Sequence, residues 1–200
     1  MKASNFVRFF MVLSTLTVTT VWGADTQSSD MQTMQRQWTK TKALNQLHHI
    51  NQMEIQMAKM AQDSAQSSEL KNFAKQMNTD HSNLENRVTS AAQASNIELQ
   101  KFQPSTYEQA TMDSLKSLKG GQFDQMFTWT MVRGHEDAMA DLKRTSASAQ
   151  DPQVKTLIQE AMPRIRQHWE MARSMSQSIS RGVASDQNKK MQKKSEQESQ

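Results

Sequence analysis

Residues 122 to 142 read QFDQMFTWTMVRGHEDAMADL, and this stretch decides the fold. At about 100° per residue, Phe127, Met131, Ala138 and Leu142 fall on one helical face, while Gln125, Arg133, Glu136, Asp137 and Lys143 fall elsewhere. Asp124 and His135 interrupt the apolar stripe. A polar group buried there without a partner would cost several kcal/mol, so each requires one from another part of the chain. The segment therefore predicts a bundle helix whose polar residues look toward its neighbours.

The same period recurs on both sides. Upstream, Leu47, Ile50, Met57, Ala58 and Ala61 form one stripe of a first helix from about Thr41 to Gln66, with Glu54 in its middle. Ser67 and Ser68 offer a cap for a second helix to about Ser95, with Leu70, Phe73, Ala74, Met77, Leu84, Val88 and Ala91 inward and His81 on that line. Asn96 suits the left-handed residue that closes a helix. A short amphipathic crossover helix follows over Ser105 to Leu118, and Gly120 and Gly121 separate it from the helix of the opening stretch, which runs to about Ala149. Downstream, Asp151-Pro152 is a cap with a first-turn proline. It starts a last helix with Val154, Leu157, Ile158, Ala161, Ile165, His168, Trp169, Ala172 and Met175 inward, ending near Arg181 and interrupted by Pro163. Four long amphipathic helices with one longer connection specify an all-α, ferritin-like four-helix bundle over residues 41–182.

The ends read differently. Lys2 and Arg8 precede an apolar run from Phe9 to Val21, and Val21 and Gly23 are small, which is the pattern of a Sec-type signal peptide over residues 1–23. The run is too short to span a bilayer comfortably, and no later segment approaches the roughly 20 apolar residues a span needs. Residues 24–40 read as a linker, and residues 183–200, with Lys189, Lys190, Lys193 and Lys194, as a disordered polar tail. A periplasmic or secreted location follows. The chain has no cysteine, which excludes disulfides, thiolate metal sites and thiol catalysis. Its formal charge of +4 falls to about +2 without Lys2 and Arg8, giving no footprint for nucleic acid.

Counted from the predicted turns, Glu54 and His81 both stand roughly 20 Å from the first turn at 1.5 Å per residue, and His135 and His168 share a level on the other pair. Asp124 lies about 16 Å from His135 along its helix and cannot share an ion with it. One carboxylate and three imidazoles at mid-height suit a single Zn²⁺, Fe²⁺, Mn²⁺ or Cu²⁺ ion, with Asp80 or Glu85 as an extra or outer ligand. Ordinary imidazoles would lose such an ion below about pH 6. The alternative is a metal-free layer in which Glu54 accepts hydrogen bonds from the histidines and fixes helix register.

Asp80-His81, the Asn96-Ile97-Glu98-Leu99 turn, Phe123-Asp124, His135-Glu136, and Pro163 with His168 resemble the motif series of a widespread bacterial family over about residues 41–178. That family consists of exported, ferritin-like domains of unknown function, often labelled outer-membrane proteins. The resemblance implies a ferritin-like fold with Glu54, Asp80, His81, Asp124, His135 and His168 as its characteristic polar positions, and it brings no activity. The outer-membrane label has no counterpart here, because no alternating barrel strands occur. Di-iron bundles use paired Glu-x-x-His motifs, and this chain contains none.

Of the sixteen methionines, Met53, Met57 and Met60 form a helical series, and Met171 and Met175 form another. Thioethers can hold Cu(I), though packing is their commoner use. His48 and His49 point away from the Glu54 stripe and read as surface residues. Trp38, Trp129 and Trp169 read as packing or interface residues, and Trp129, off the core stripe, offers a contact to a second copy or an envelope partner. Three classes stand: a metal-binding or stress-related envelope protein, a structural or interaction module, and, last, a redox enzyme. No hydrolase triad or phosphate loop is present.

Overall fold

The computed structural model describes residues 24–198, so the expected leader lies outside the described residues. The elements are α1 (Ala24–Ser64), α2 (Ser68–Ala94), α3 (Thr106–Ser117), α4 (Gly120–Ser148) and α5 (Pro152–Glu198), with no strand among the described residues. Residues 24–34 belong to one compact unit, and the chain from Gln35 onward forms the second, which is the bundle.

Local chemistry sets the helix ends. Ser67 accepts the N–H of Leu70, Asp151 accepts that of Val154 at 3.0 Å, and Ser105 with Glu108 closes a reciprocal capping box. Asn96 takes the left-handed conformation, with φ of 51°, and the N–H of Ile97 returns to the carbonyl of Ala92. The turns at 65–67 and 149–151 are short, which makes α1/α2 and α4/α5 antiparallel hairpins. Asp124, near the start of α4, reaches the α1–α2 turn, so α4 runs parallel to α2, and the chain from 95 to 119 with α3 is the long crossover. The structure is the expected ferritin-like four-helix bundle.

The core comes in two halves. One gathers Met57, Leu70, Phe73, Phe123, Phe127 and Met175 at the α1–α2 turn end. The other gathers Leu44, Leu47, Val88, Leu142, Leu157 and Ile158 at the opposite end. Each of these side chains contributes on the order of 1.5–3 kcal/mol by leaving water. Between the halves lie the buried polar residues Asn51, Glu54, His81, His135 and His168.

Two expectations about the ends need correction. Residues 24–40 are helical, continuous with α1, and α5 runs on through 183 to Glu198. Neither extension contains glycine or proline beyond Gly182, so nothing stops a helix propagating out of the packed bundle. They bury little: Met31, Met34, Trp38, Val183 and Met191 are all exposed. Pro163 sits inside α5 without dividing it, although its missing N–H removes one hydrogen bond from the ladder.

Candidate metal centre

His81 from α2, His135 from α4 and His168 from α5 converge between the two core halves, at most 3% exposed. Their ring centroids lie 5.3–6.1 Å apart, and one nitrogen from each ring lies within 4.8 Å of the other two. The outer nitrogens determine which ones face inward. His135 Nδ1 donates to the carbonyl of Met131 at 2.9 Å, His168 Nε2 to Asp80 Oδ2 at 3.0 Å, and His81 Nδ1 to Asn51 Oδ1 at 3.2 Å. Each of these oxygens only accepts, so the outer nitrogen carries the proton and the inner one presents a lone pair.

The inner atoms are His81 Nε2, His135 Nε2 and His168 Nδ1, all buried and without a hydrogen-bond partner. Three buried lone pairs gathered this closely repel, and each lacks the donor that a buried acceptor normally finds. A cation among them removes both costs. A metal–nitrogen bond of about 2.0–2.1 Å sets the nitrogens roughly 3.4 Å apart in a tetrahedral site. The outer acceptors are the orienting partners that metal-bound imidazoles characteristically have.

The expected residues divide accordingly. Asp80 is the outer partner of His168 and is not one of the three residues of the cluster. Glu54 shares the level but stands beside the outer edge of His135, with Oε1 3.8 Å from Nδ1 and Oε2 unpartnered, so it lies outside the cluster of three nitrogens. Nor does it accept hydrogen bonds from the histidines as the metal-free layer requires. Asn51, fully buried, was missed. Its position four residues after Leu47 and three before Glu54 is the signal that places it on the stripe. Its amide also donates to Glu85 Oε2 at 3.2 Å, and Glu85 Oε1 lies 2.5 Å from His48 Nδ1. His48 is thus a half-buried end of the chain that orients His81, and His49 pairs with Glu108 on α3 at 2.8 Å, so neither is a simple surface residue. Gly134 is not required by close approach, because a Cβ there would meet only Glu54 Oε1 at an ordinary 3.7 Å.

Burial tunes these groups in opposite directions. Desolvation pushes Glu54 up to about 7, against the opposing pull of His168, and pushes His135 down to about 4. His81 falls well below its usual value, through burial and then the neighbouring imidazoles, and His168 is also lowered by burial, partly offset by Asp80. Ionised Glu54 destabilises the fold above about pH 7, and the penalty is relieved as pH falls toward 4.5. His135 acts inversely: between its unfolded 6.5 and its folded value of about 4, the unfolded chain binds the extra proton, so stability is lost as the pH is lowered through that range. With chelator present, Glu54→Gln should therefore stabilise the protein at pH 8 by about 1–3 kcal/mol and steepen its loss of stability below pH 6.5. Urea midpoints at pH 6, 7 and 8 check this. A variant weaker than wild type at pH 8 would mean that the carboxylate has a partner.

The chain belongs to the family described as Domain of unknown function (DUF4142), whose profile matches residues 24–175. Solved structures of CopM share its fold. CopM in the Cu(I)-bound form aligns with a TM-score of 0.59 at 18% identity, over 70% of this chain and 97% of that one. CopM in the Ag-bound form and in the Cu(II)-bound form each align with a TM-score of 0.59 at 17% identity, over 70% of this chain and 96% of theirs. No curated protein matches the sequence.

Proposed function

We propose that this protein binds one transition metal ion, copper foremost, through His81, His135 and His168, and serves the bacterial cell envelope as a metal-binding, stress-related protein rather than an enzyme. The observation that carries the reading is the set of three buried, unpartnered nitrogens whose protons are fixed on their outer sides. Neutral imidazoles suit copper and zinc, and the absence of an inward carboxylate disfavours Mn²⁺. Copper and silver in the CopM structures of similar fold support the choice of metal. Export rests on the sequence of residues 1–23, and no described helix is long and apolar enough to cross a membrane.

The direct test is chelator-competition titration of the protein from residue 24 onward with Cu(I), Ag(I), Cu²⁺, Zn²⁺, Fe²⁺ and Mn²⁺. One equivalent of Cu(I) should bind most tightly. Binding of none of these ions at micromolar concentration would end the metal reading. The second reading is an interaction module, favoured by Trp129, which is 54% exposed and free to meet a second copy or an envelope partner.

A further inference from the structure

A groove of about 420 Å³ runs between α1, α3 and α4, and none of the three clustered histidines lines it. It includes Glu54, which stands on the outer Nδ1 side of His135. Ile50, Met53, Met57, Met131 and Ala138 make its lining mostly apolar, and the exposed rings of Tyr107 on α3 and Trp129 on α4 border it. A concave apolar pocket of this size with a few polar groups is the usual form of a small-molecule site. Its uncompensated charges have one sign. Arg133 pairs with Glu136, Asp141 with Arg144, and Glu108 with His49. Two carboxylates remain. Exposed Asp137 has no ion-pair partner among the described residues, and Glu54, 8% exposed, keeps Oε2 buried without a hydrogen-bond donor. An acceptor held out of water in this way is costly until a donor reaches it. Gly134 lines the same groove, and a Cβ there would touch Glu54 Oε1 at 3.7 Å. A longer side chain would take the space beside the carboxylate, which a glycine in mid-helix leaves free.

We infer that this groove is a second binding site, for a small organic cation: a primary ammonium head on Glu54 and an apolar body against the methionines and Trp129, with Asp137 attracting the charge from solvent. A primary ammonium brings what Glu54 lacks, N–H donors and a positive charge for a group that only accepts. Methionine side chains adapt to an apolar body of any shape, and an indole adds a broad contact face. Other ligand classes fit less well. An anion meets two uncompensated carboxylates, and a neutral apolar molecule leaves the buried oxygen of Glu54 without its donor.

Calorimetric titration of the metal-free protein at pH 8, with chelator present, tests the groove apart from the histidine centre. 2-Phenylethylammonium should bind at one equivalent with Kd below about 1 mM. 2-Phenylethanol, the same body without the charge, should bind at least about tenfold more weakly, and 3-phenylpropanoate should not bind. Glu54→Gln keeps the shape of the side chain and should weaken ammonium binding by about tenfold or more, and Trp129→Ala by about fivefold. Asp137→Asn should weaken it by about threefold at low salt, a difference that about 0.5 M salt should erase. Gly134→Leu favours the helix and should abolish binding while circular dichroism still shows a folded bundle. Equal affinity for the alcohol and the ammonium, or unchanged affinity in Glu54→Gln, would overturn the inference. No binding at about 10 mM ammonium would overturn it too. So would a wild-type dimer that Trp129→Ala dissociates, because a second copy would then be what fills the groove. None of these measurements involves a metal, so their failure would leave the histidine centre standing.

Discussion

At pH 7 and a hundredfold excess of Cu(I) over Kd, wild-type protein should gain about 2.7 kcal/mol, and His135→Ala should gain nothing. For a bundle of this size that corresponds to a rise in Tm of about 5–10 °C. His49→Ala should retain the rise, because His49 bonds Glu108 outside the cluster. The pH dependence is the more telling part. Imidazoles of ordinary pKa would surrender the ion as pH passes 6, as the sequence alone leads one to expect. Here burial holds His135 down at about 4 and lowers His81 and His168 too, so the rings stay neutral and able to bind at lower pH than exposed imidazoles do. The metal-induced rise should therefore persist below pH 6, where exposed imidazoles would already have lost it, and fade toward pH 4, where His135 itself takes up a proton. Thermal melts at pH 7, 5 and 4 with and without Cu(I) check this, and a rise already lost at pH 5.5 would show that the rings titrate as exposed histidines do.

Asp124→Ala should be the most destabilising single change among the polar residues, costing about 3–5 kcal/mol and roughly 10 °C in Tm. The carboxylate, 4% exposed, accepts the N–H of Gln66 at 2.9 Å and that of Ser67 at 2.8 Å. It thereby satisfies two backbone donors of the α1–α2 turn from the start of α4. Hydrogen bonds to a charged acceptor contribute about 1.5–3 kcal/mol each, and their loss strands both donors. Asp124→Asn keeps one acceptor oxygen and should cost about half as much. Because Asp124 is far from the histidines, metal stoichiometry should stay at one in both variants. A folded Asp124→Ala protein with wild-type stability would mean that the turn finds other acceptors.

Much of this was legible in the sequence because helical period and capping are local. Ser67, Asn96 and Asp151 announce their helix ends through their own side chains or backbone, and the structure places them there. The polar residues within apolar stripes marked the level of the buried polar layer, since axial height follows from counting residues. Direction around a helix and side-chain rotamer do not follow from counting. Glu54 thus fell at the right height and on the wrong side of His135, and Asn51 escaped notice although it orients His81. The partner of Asp124 was equally hidden, being a pair of backbone N–H groups 57 and 58 residues away. The helical extensions were missed because low apolar content argues against packing but does not by itself break a helix.

The parallel run of α2 and α4 has a consequence for the order of folding. The hairpins α1/α2 and α4/α5 close through short turns, so their contacts are local and form quickly. His81 belongs to the first hairpin, and His135 and His168 to the second. An isolated hairpin thus offers an ion at most two of the three imidazoles of the cluster, and the set is complete only when the crossover has let the hairpins dock. Bound metal would act as a latch on that docking, and its grip should appear in the unfolding rate with little change in refolding. Stopped-flow kinetics with and without Cu(I) would read this directly, and a metal-accelerated refolding phase would mean instead that the ion gathers its ligands before the hairpins meet.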